Sequence, residues 1–168
     1  MKSKIAKFDI LIMALVVIID RLVKYLVDSN LNLGESRDII GNFFSLTYVR
    51  NTGAAFSLFK DQAIDLLIFV PLCAVIFGIY FIVKFKYPHW SYAWAVWLVM
   101  AGAIGNLIDR FLYGYVIDMF DFHFWPVFNV ADIAIVIGGL LLIWYILRYE
   151  WAYPLKPKKE HEDINGKL

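Results

Sequence analysis

The composition of this chain is that of an integral membrane protein. Its 168 residues are 61% hydrophobic and 18% charged, with a mean hydropathy of +0.65, which leaves no room for a large soluble domain beside several membrane spans. The net charge of +1 argues against a nucleic-acid partner, because the basic residues lie in separate patches and form no continuous stripe. The single cysteine, Cys73, excludes a disulfide within the chain.

Apolar segments long enough to cross a bilayer organise the predicted fold. We expect four spans, at about 8–27, 66–83, 91–109 and 130–148. The first span is expected to be a retained anchor and not a cleaved leader. Asp20, Arg21 and Lys24 follow its apolar core, where a cleavage site would need small residues.

Three patches of basic residues in the short flanks of these spans fall on one side, and they set the expected orientation. They precede the first span, separate the second from the third, and follow the fourth: Lys2, Lys4, Lys7, Lys84, Lys86, Arg148, Lys156, Lys158 and Lys159. The positive-inside rule makes that side cytoplasmic, so both termini are expected inside, with outer loops at about 28–65 and 110–129. We expect one membrane-embedded domain over residues 1–153 and a polar cytoplasmic tail over 154–168.

The first outer loop contains a strand signal. Gly41 and Asn42 form a turn pattern before the β-branched and aromatic run 43–49, which is typical of a strand or hairpin. The segment 51–56, with Asn, Gly and two alanines, predicts a tight corner. The predicted fold class is therefore an all-α polytopic membrane protein with four transmembrane helices and a small extracytoplasmic β element.

Carboxylates gather at the outer ends of the spans. They are Asp20, Asp109, Asp118, Asp121 and Asp132. Ionisable groups at membrane depth are costly to bury, so such a cluster makes a functional site the default hypothesis.

Asp118, placed on the second outer loop, and Asp132, just inside the fourth span, are the candidates for chemistry. Two carboxyls brought together among apolar side chains share one proton, as in aspartic proteases, where one activates water and the other hydrogen-bonds the peptide carbonyl. Asn51 and Asn129 are candidate donors to the oxyanion. From the acids alone a second interpretation stays open, in which each aspartate caps a helix or is hydrated at the interface.

The other acids are interpreted as ion-paired scaffold. Asp20 and Lys24 share one helix face at a four-residue spacing, and Asp109 precedes Arg110. The small residue Gly105 lies one turn before Asp109 and would let another helix pack closely beside it.

Rival chemistries fit the pattern less well. A metal site on Asp118, Asp121 and His123 lacks a known zinc spacing, and we expect neither metal nor cofactor. A serine–lysine hydrolase would join Lys24 to Ser45 or Ser57, but neither serine lies in a nucleophile-elbow pattern. A small proton-linked transporter or channel remains the alternative from another class, although it would need ionisable residues in both halves of the bilayer.

Five ordered blocks within about residues 8–150 carry a resemblance: DRLVK at 20–24, NTGAAF at 51–56, GNLIDR at 105–110, VIDMFDF at 116–122 and FNVAD at 128–132. In these blocks the chain resembles the bacterial lipoprotein signal peptidases, or signal peptidase II. The resemblance implies an aspartyl endopeptidase with a β-cradle and an interfacial helix outside the membrane. Its substrates would be prolipoproteins whose lipobox cysteine carries diacylglycerol, cut just before that cysteine, and globomycin would inhibit it.

The resemblance also assigns site residues. It implies Asp118 and Asp132 as the catalytic dyad, with supporting positions at Asn51, Gly53, Asn106, Asp109, Arg110, Asn129, Asp20 and Lys24. The expected location is the bacterial cytoplasmic membrane, with the site on its extracytoplasmic side. Lipid-modified prolipoproteins and membrane lipids are the expected partners of a monomer.

Overall fold

A computed structural model of the chain describes residues 2–53, 63–84 and 89–151. The elements, in order, are α1 (Lys2–Asn30), β1 (Ser36–Ile40), β2 (Phe44–Asn51), α2 (Ala63–Lys84), α3 (Trp90–Tyr113), β3 (Val116–Asp121) and α4 (Val130–Tyr145). A π-helical segment, Ile146–Trp151, continues α4. The four predicted spans thus fall on the four helices. The end of the predicted corner, 54–56, and the tail at 154–168 lie outside the described residues.

Within the described ranges, three helical segments are long and apolar enough to cross a membrane, namely Leu67–Lys84, Trp90–Tyr113 and Val130–Tyr149. Helix α1 is longer, at 29 residues, but Asp20, Arg21 and Lys24 interrupt its apolar sequence. Asp20 and Lys24 are fully buried, whereas the apolar Ile18 and Leu22 are more than half exposed. Asp20 and Lys24 are therefore directed into the helix bundle, and Ile18 and Leu22 are directed outward.

Small residues let α3 pack closely against its neighbours α1 and α4. A Cβ atom added at Gly105 would lie 2.8 Å from the Asp20 carboxylate and 3.1 Å from the Ala131 Cβ atom. The predicted small-residue face beside Asp109 is thus confirmed, and it brings three helices together at one depth.

The predicted β element is a three-stranded antiparallel sheet in the order β1-β2-β3. Its first hairpin confirms the strand predicted at 43–49, and Gly41 at φ 45° supplies the turn. Placing Asp118 on a loop was wrong, because it lies in β3 opposite Val49. The run from Val116 to Met119 is buried at every position, so it lacks the alternation that identifies a half-exposed strand.

One hydrophobic cluster fixes the sheet to the C-terminal end of α1. It joins Val27 of the helix and Leu31, just after it, to Tyr48, Ile117 and Met119 of the sheet. Both sequence neighbours of Asp118 belong to this core. The packing therefore holds the backbone around that acid in place.

Candidate active site

A single asparagine links the two predicted acids. Asp118 is 1% exposed in β3, and Asp132 lies in the first turn of α4. Asn129, the N-cap of α4, accepts a hydrogen bond from the Asp132 backbone N–H at 2.9 Å and donates its side-chain N–H to Asp118 at 2.6 Å. The Asp132 carboxylate accepts the Asn129 backbone N–H at 3.2 Å, which completes a capping box. The capping interpretation therefore holds for Asp132, and it is the cap that brings Asp132 towards Asp118.

The other oxygen of each carboxylate accepts a hydrogen bond from a further side-chain amide. Asn51 donates to Asp118 at 2.9 Å, and Asn106 donates to Asp132 at 2.8 Å. Gly53 donates its backbone N–H to the Asn51 side-chain oxygen and has a φ of 75°, a conformation that favours glycine. In this structure the amide groups predicted as oxyanion donors at Asn51 and Asn129 are thus directed at Asp118.

A buried ion-pair network lies next to the two acids, and Asn106 connects it to Asp132. The Lys24 ammonium lies 2.9 Å from the Asp20 carboxylate and 2.8 Å from the Asp109 carboxylate, and it donates to the Asn106 side-chain oxygen at 3.1 Å. The predicted pair between Asp20 and Lys24 is confirmed. Asp109 is ion-paired as expected, but its partners are Lys24 and Arg21 of α1 and not its sequence neighbour. Arg21 received no role from the sequence, because its partner is 88 positions away.

The same network holds the elements that carry the acids. Asp20 accepts the backbone N–H of Ala131 at 2.9 Å, next to Asp132 at the start of α4. Asp109 accepts the backbone N–H of Ile117 at 3.1 Å, next to Asp118 in β3. Each scaffold carboxylate therefore fixes the chain one residue before a candidate catalytic acid.

Burial determines the electrostatics of the site. It raises the pKa of Asp118 to about 6, and the nearby charge of Asp132 acts in the same direction, while hydrogen bonds from Asn51 and Asn129 oppose the rise. The guanidinium of Arg110 lies close enough to both acids for a favourable Coulomb interaction with each. Such a site suits one proton shared between two carboxyls.

A small cleft lies beside Asn51 and Arg110, and an aromatic surface lies on the loop after β3. The cleft is lined by Asn51, Thr52, Leu67, Ile68, Arg110 and Gly114. Across the sheet, the rings of Phe43, Phe122 and Phe124 contact one another, and Phe124 and Trp125 are mostly exposed. The loop from 122 to 128 is not helical, so the interfacial helix implied by the family is here a short aromatic loop.

A separate polar cluster lies on the sheet and the loop after β3. Asp121 accepts from Thr47 at 2.9 Å and from the His123 backbone at 2.8 Å. Ser45 donates to Asp38 at 2.8 Å and lies 3.0 Å from the His123 ring. Its hydroxyl is therefore directed at these two side chains and not at Lys24, as a serine–lysine hydrolase would require. Ser57 lies outside the described residues. Among the residues that the structure describes, no group of three or more His, Cys, Asp or Glu side chains is arranged to hold a metal ion.

Comparisons with known proteins agree with one another. The signal peptidase II family matches residues 12–148. A lipoprotein signal peptidase of Moorella thermoacetica is 42% identical, covering 82% of this chain and 91% of the relative. One from Enterococcus faecalis is 43% identical, covering 84% and 89%. A solved bacterial membrane enzyme, 33% identical, superimposes with a TM-score of 0.80 over 85% of this chain and 94% of its own. The chain therefore belongs to the signal peptidase II family.

Proposed function

We propose that this protein is an aspartyl endopeptidase that removes signal peptides from diacylglyceryl-modified prolipoproteins. Water would attack the carbonyl of the bond preceding the lipidated cysteine. The observation that carries the proposal is the joining of Asp118 and Asp132 through Asn129 at a buried site. Family membership supports the substrate class, since the relatives are named lipoprotein signal peptidases.

The chemistry follows from the two carboxyls. The ionised carboxylate takes a proton from water while the oxygen of that water bonds to the peptide carbonyl carbon. The protonated carboxyl hydrogen-bonds the carbonyl oxygen and transfers its proton to it, which gives a neutral tetrahedral intermediate. As the intermediate collapses, the leaving nitrogen takes a proton from the carboxyl that acted as base, and the C–N bond breaks. One hydroxyl of the intermediate returns a proton to the other carboxylate, which restores the starting pair. Arg110 at the edge of the cleft would stabilise the partial negative charge that develops on the carbonyl oxygen before that oxygen is protonated.

We further propose that α1 is a fourth span, with both termini cytoplasmic and the acids at the outer face. The inward direction of its charges and the outward direction of its apolar residues support this arrangement. Cysteines placed singly at Ser36 and Gly166, in a Cys73→Ala protein, test it with a membrane-impermeant maleimide. Ser36→Cys should react in intact cells, and Gly166→Cys only after permeabilisation. The reverse pattern would contradict the orientation.

The substrate suits this position. A signal peptide is an apolar helix within the bilayer, and its lipidated cysteine holds the scissile bond at the headgroup level. The exposed Phe124 and Trp125 offer an apolar surface that would cover the bound peptide and exclude water. We expect the enzyme to act as a monomer among membrane lipids, and globomycin to block the cleft.

A processing assay tests the function directly. The purified protein in detergent micelles should convert a diacylglyceryl-modified prolipoprotein to two products separated before the modified cysteine, and should leave the unmodified precursor uncut. Mass spectrometry of both products identifies the bond. Failure to cut the modified precursor would refute the proposal. The transporter alternative has no support, because the relatives are named peptidases and the charges of α1 are paired within the bundle.

A further inference from the structure

Helix α2 has a proline in its interior, one turn after a residue that lines the cleft. The proline is Pro71, in the helix Ala63–Lys84. Because proline has no backbone N–H, the carbonyl four residues earlier, that of Leu67, loses the donor that a regular helix would give it. Leu67 lines the cleft together with Asn51 and Arg110. The sequence of α2 therefore frees a backbone acceptor at the edge of the candidate active site.

This carbonyl belongs to the face of α2 that packs against the rest of the bundle. Leu67, Pro71 and Gly78 follow one another at helical spacing and are half-buried or buried. A Cβ atom added at Gly78 would overlap the Met100 side chain, so this face is directed at α3. Phe69, on the opposite face, is mostly exposed. The freed acceptor is therefore on the protein-facing side of the helix and not on its outer side.

The contacts around Leu67 leave its hydrogen-bonding capacity unused. Among the residues that the structure describes, no donor from another element bonds to its carbonyl. A Cβ atom added at Gly53 would overlap the Leu67 side chain, so the chain after β2 packs directly on this residue and holds it in place. At membrane depth an acceptor without a donor is costly, and it is tolerated where it lines a cavity or is buried in protein. The cleft is such a place.

A bound signal peptide has the complementary need. For both acids to reach one peptide bond, the chain around that bond must leave the helical conformation. Residues that leave the helix expose backbone N–H groups, which the bilayer cannot satisfy. On the signal-peptide side of the bond these groups would enter the cleft beside α2. Hydrogen bonds to the main chain are a general way of holding an extended peptide.

We propose that the Leu67 carbonyl, freed by Pro71, accepts a hydrogen bond from a backbone N–H of the bound signal peptide, within the last few residues before the modified cysteine. This inference rests on the proposed peptidase function. It gives a substrate-binding role to α2, which carries none of the site residues predicted from the sequence. Because the bond is made to the main chain, it holds signal peptides of different sequence in one register relative to the acids.

The experiment uses synthetic diacylglyceryl-modified peptides in which an ester replaces one amide at a time before the cysteine. Each ester removes one backbone N–H, while the scissile amide is kept in every peptide and mass spectrometry identifies the bond that is cut. With the wild-type protein in micelles, the ester at one of these positions should lower kcat/KM by about tenfold, the size expected for losing one hydrogen bond.

Pro71→Ala tests the acceptor itself, because alanine restores an N–H that occupies the Leu67 carbonyl within the helix. This variant should cleave the all-amide peptide about tenfold less efficiently than the wild type, and the ester should cause no further loss. A purely structural role of the proline would lower cleavage of both peptides by the same factor. Val70→Ala is the matched control, since Val70 is the exposed neighbour of Pro71 and its replacement leaves the proline in place. It should show the full effect of the ester.

A second variant, Pro71→Gly, restores the same N–H and replaces Pro71→Ala if that protein does not fold, as judged by tryptophan fluorescence and gel filtration. Equal cleavage of the amide peptide and of every ester peptide by the wild type would overturn the inference alone. An undiminished effect of the ester in a folded, active proline variant would overturn it as well. A wild-type protein that cleaves none of the peptides would overturn the proposed function and this inference with it.

Discussion

The hydrogen bond from Asn51 to Asp118 offers a quantitative test of the site. Its length is 2.9 Å, and it is the largest influence that opposes the burial-driven rise in the pKa of Asp118. In Asn51→Ala the ionised form loses this donor, so the pKa of Asp118 should rise above its value of about 6. A hydrogen bond to a charged group contributes about 1.5–3 kcal/mol, and one pKa unit corresponds to about 1.4 kcal/mol, which gives a rise of about one to two units.

The sign of the effect on activity follows from assigning the proton of the pair to Asp118, whose pKa burial raises to about 6. Asp118 must be protonated to hydrogen-bond the peptide carbonyl, so wild-type kcat/KM should fall as the pH rises past about 6. Asn51→Ala should move this alkaline limb to higher pH by about one to two units, because the protonated form persists further. The rate at the optimum should fall as well, since the carboxyl is less firmly oriented.

The assay is the cleavage of the modified prolipoprotein across a pH series. Thr52→Ala is the matched control, because Thr52 is an exposed neighbour that lines the same cleft without a described bond to Asp118. Its alkaline limb should coincide with that of the wild type. An Asn51→Ala limb that stays in place or moves to lower pH would refute the electrostatic reasoning.

The remaining predictions concern packing, metal and inhibition. A Cβ atom at Gly138 would lie 2.8 Å from the Ala95 carbonyl oxygen, whereas one at Gly139 would meet nothing within 4 Å. Gly138→Ala should therefore lower the free energy of unfolding in micelles by about 1–3 kcal/mol, and Gly139→Ala should raise it by about 0.5–1 kcal/mol. Equal effects of the two would contradict the close approach of α3 and α4. EDTA should leave the cleavage rate unchanged, since a carboxylate activates the water, and a loss that a divalent metal restores would contradict this mechanism. Globomycin should reduce cleavage in proportion to its concentration, and full activity at saturating inhibitor would argue against the proposed cleft.

Local patterns predicted most of the helices and the hairpin because their signals lie within a few residues. The apolar runs indicated α1 to α4, and the turn pattern at Gly41 indicated the strand β2 or a hairpin that contains it. Strand β3 was missed, because its residues are buried on both faces and the acid at Asp118 interrupts the apolar run. A fully buried short strand has no alternation to detect.

The contacts of the site were harder to predict than its residues. The motifs of the resemblance named both acids and the asparagines around them, but not which amide donates to which carboxylate. The pairing of Asp109 with Arg21 and Lys24 depends on the packing of α3 against α1, which no local spacing encodes. The i, i+4 pair of Asp20 and Lys24 was predictable because one helix sets its geometry.

The most direct test of the central claim is to replace each acid of the pair. Asp118→Asn and Asp132→Asn should each reduce cleavage of the modified prolipoprotein to background while the protein stays folded in the micelle. Asp121→Asn, a change to the neighbouring acid that bonds within the sheet, should retain activity. Wild-type turnover by either variant of the pair would contradict the account.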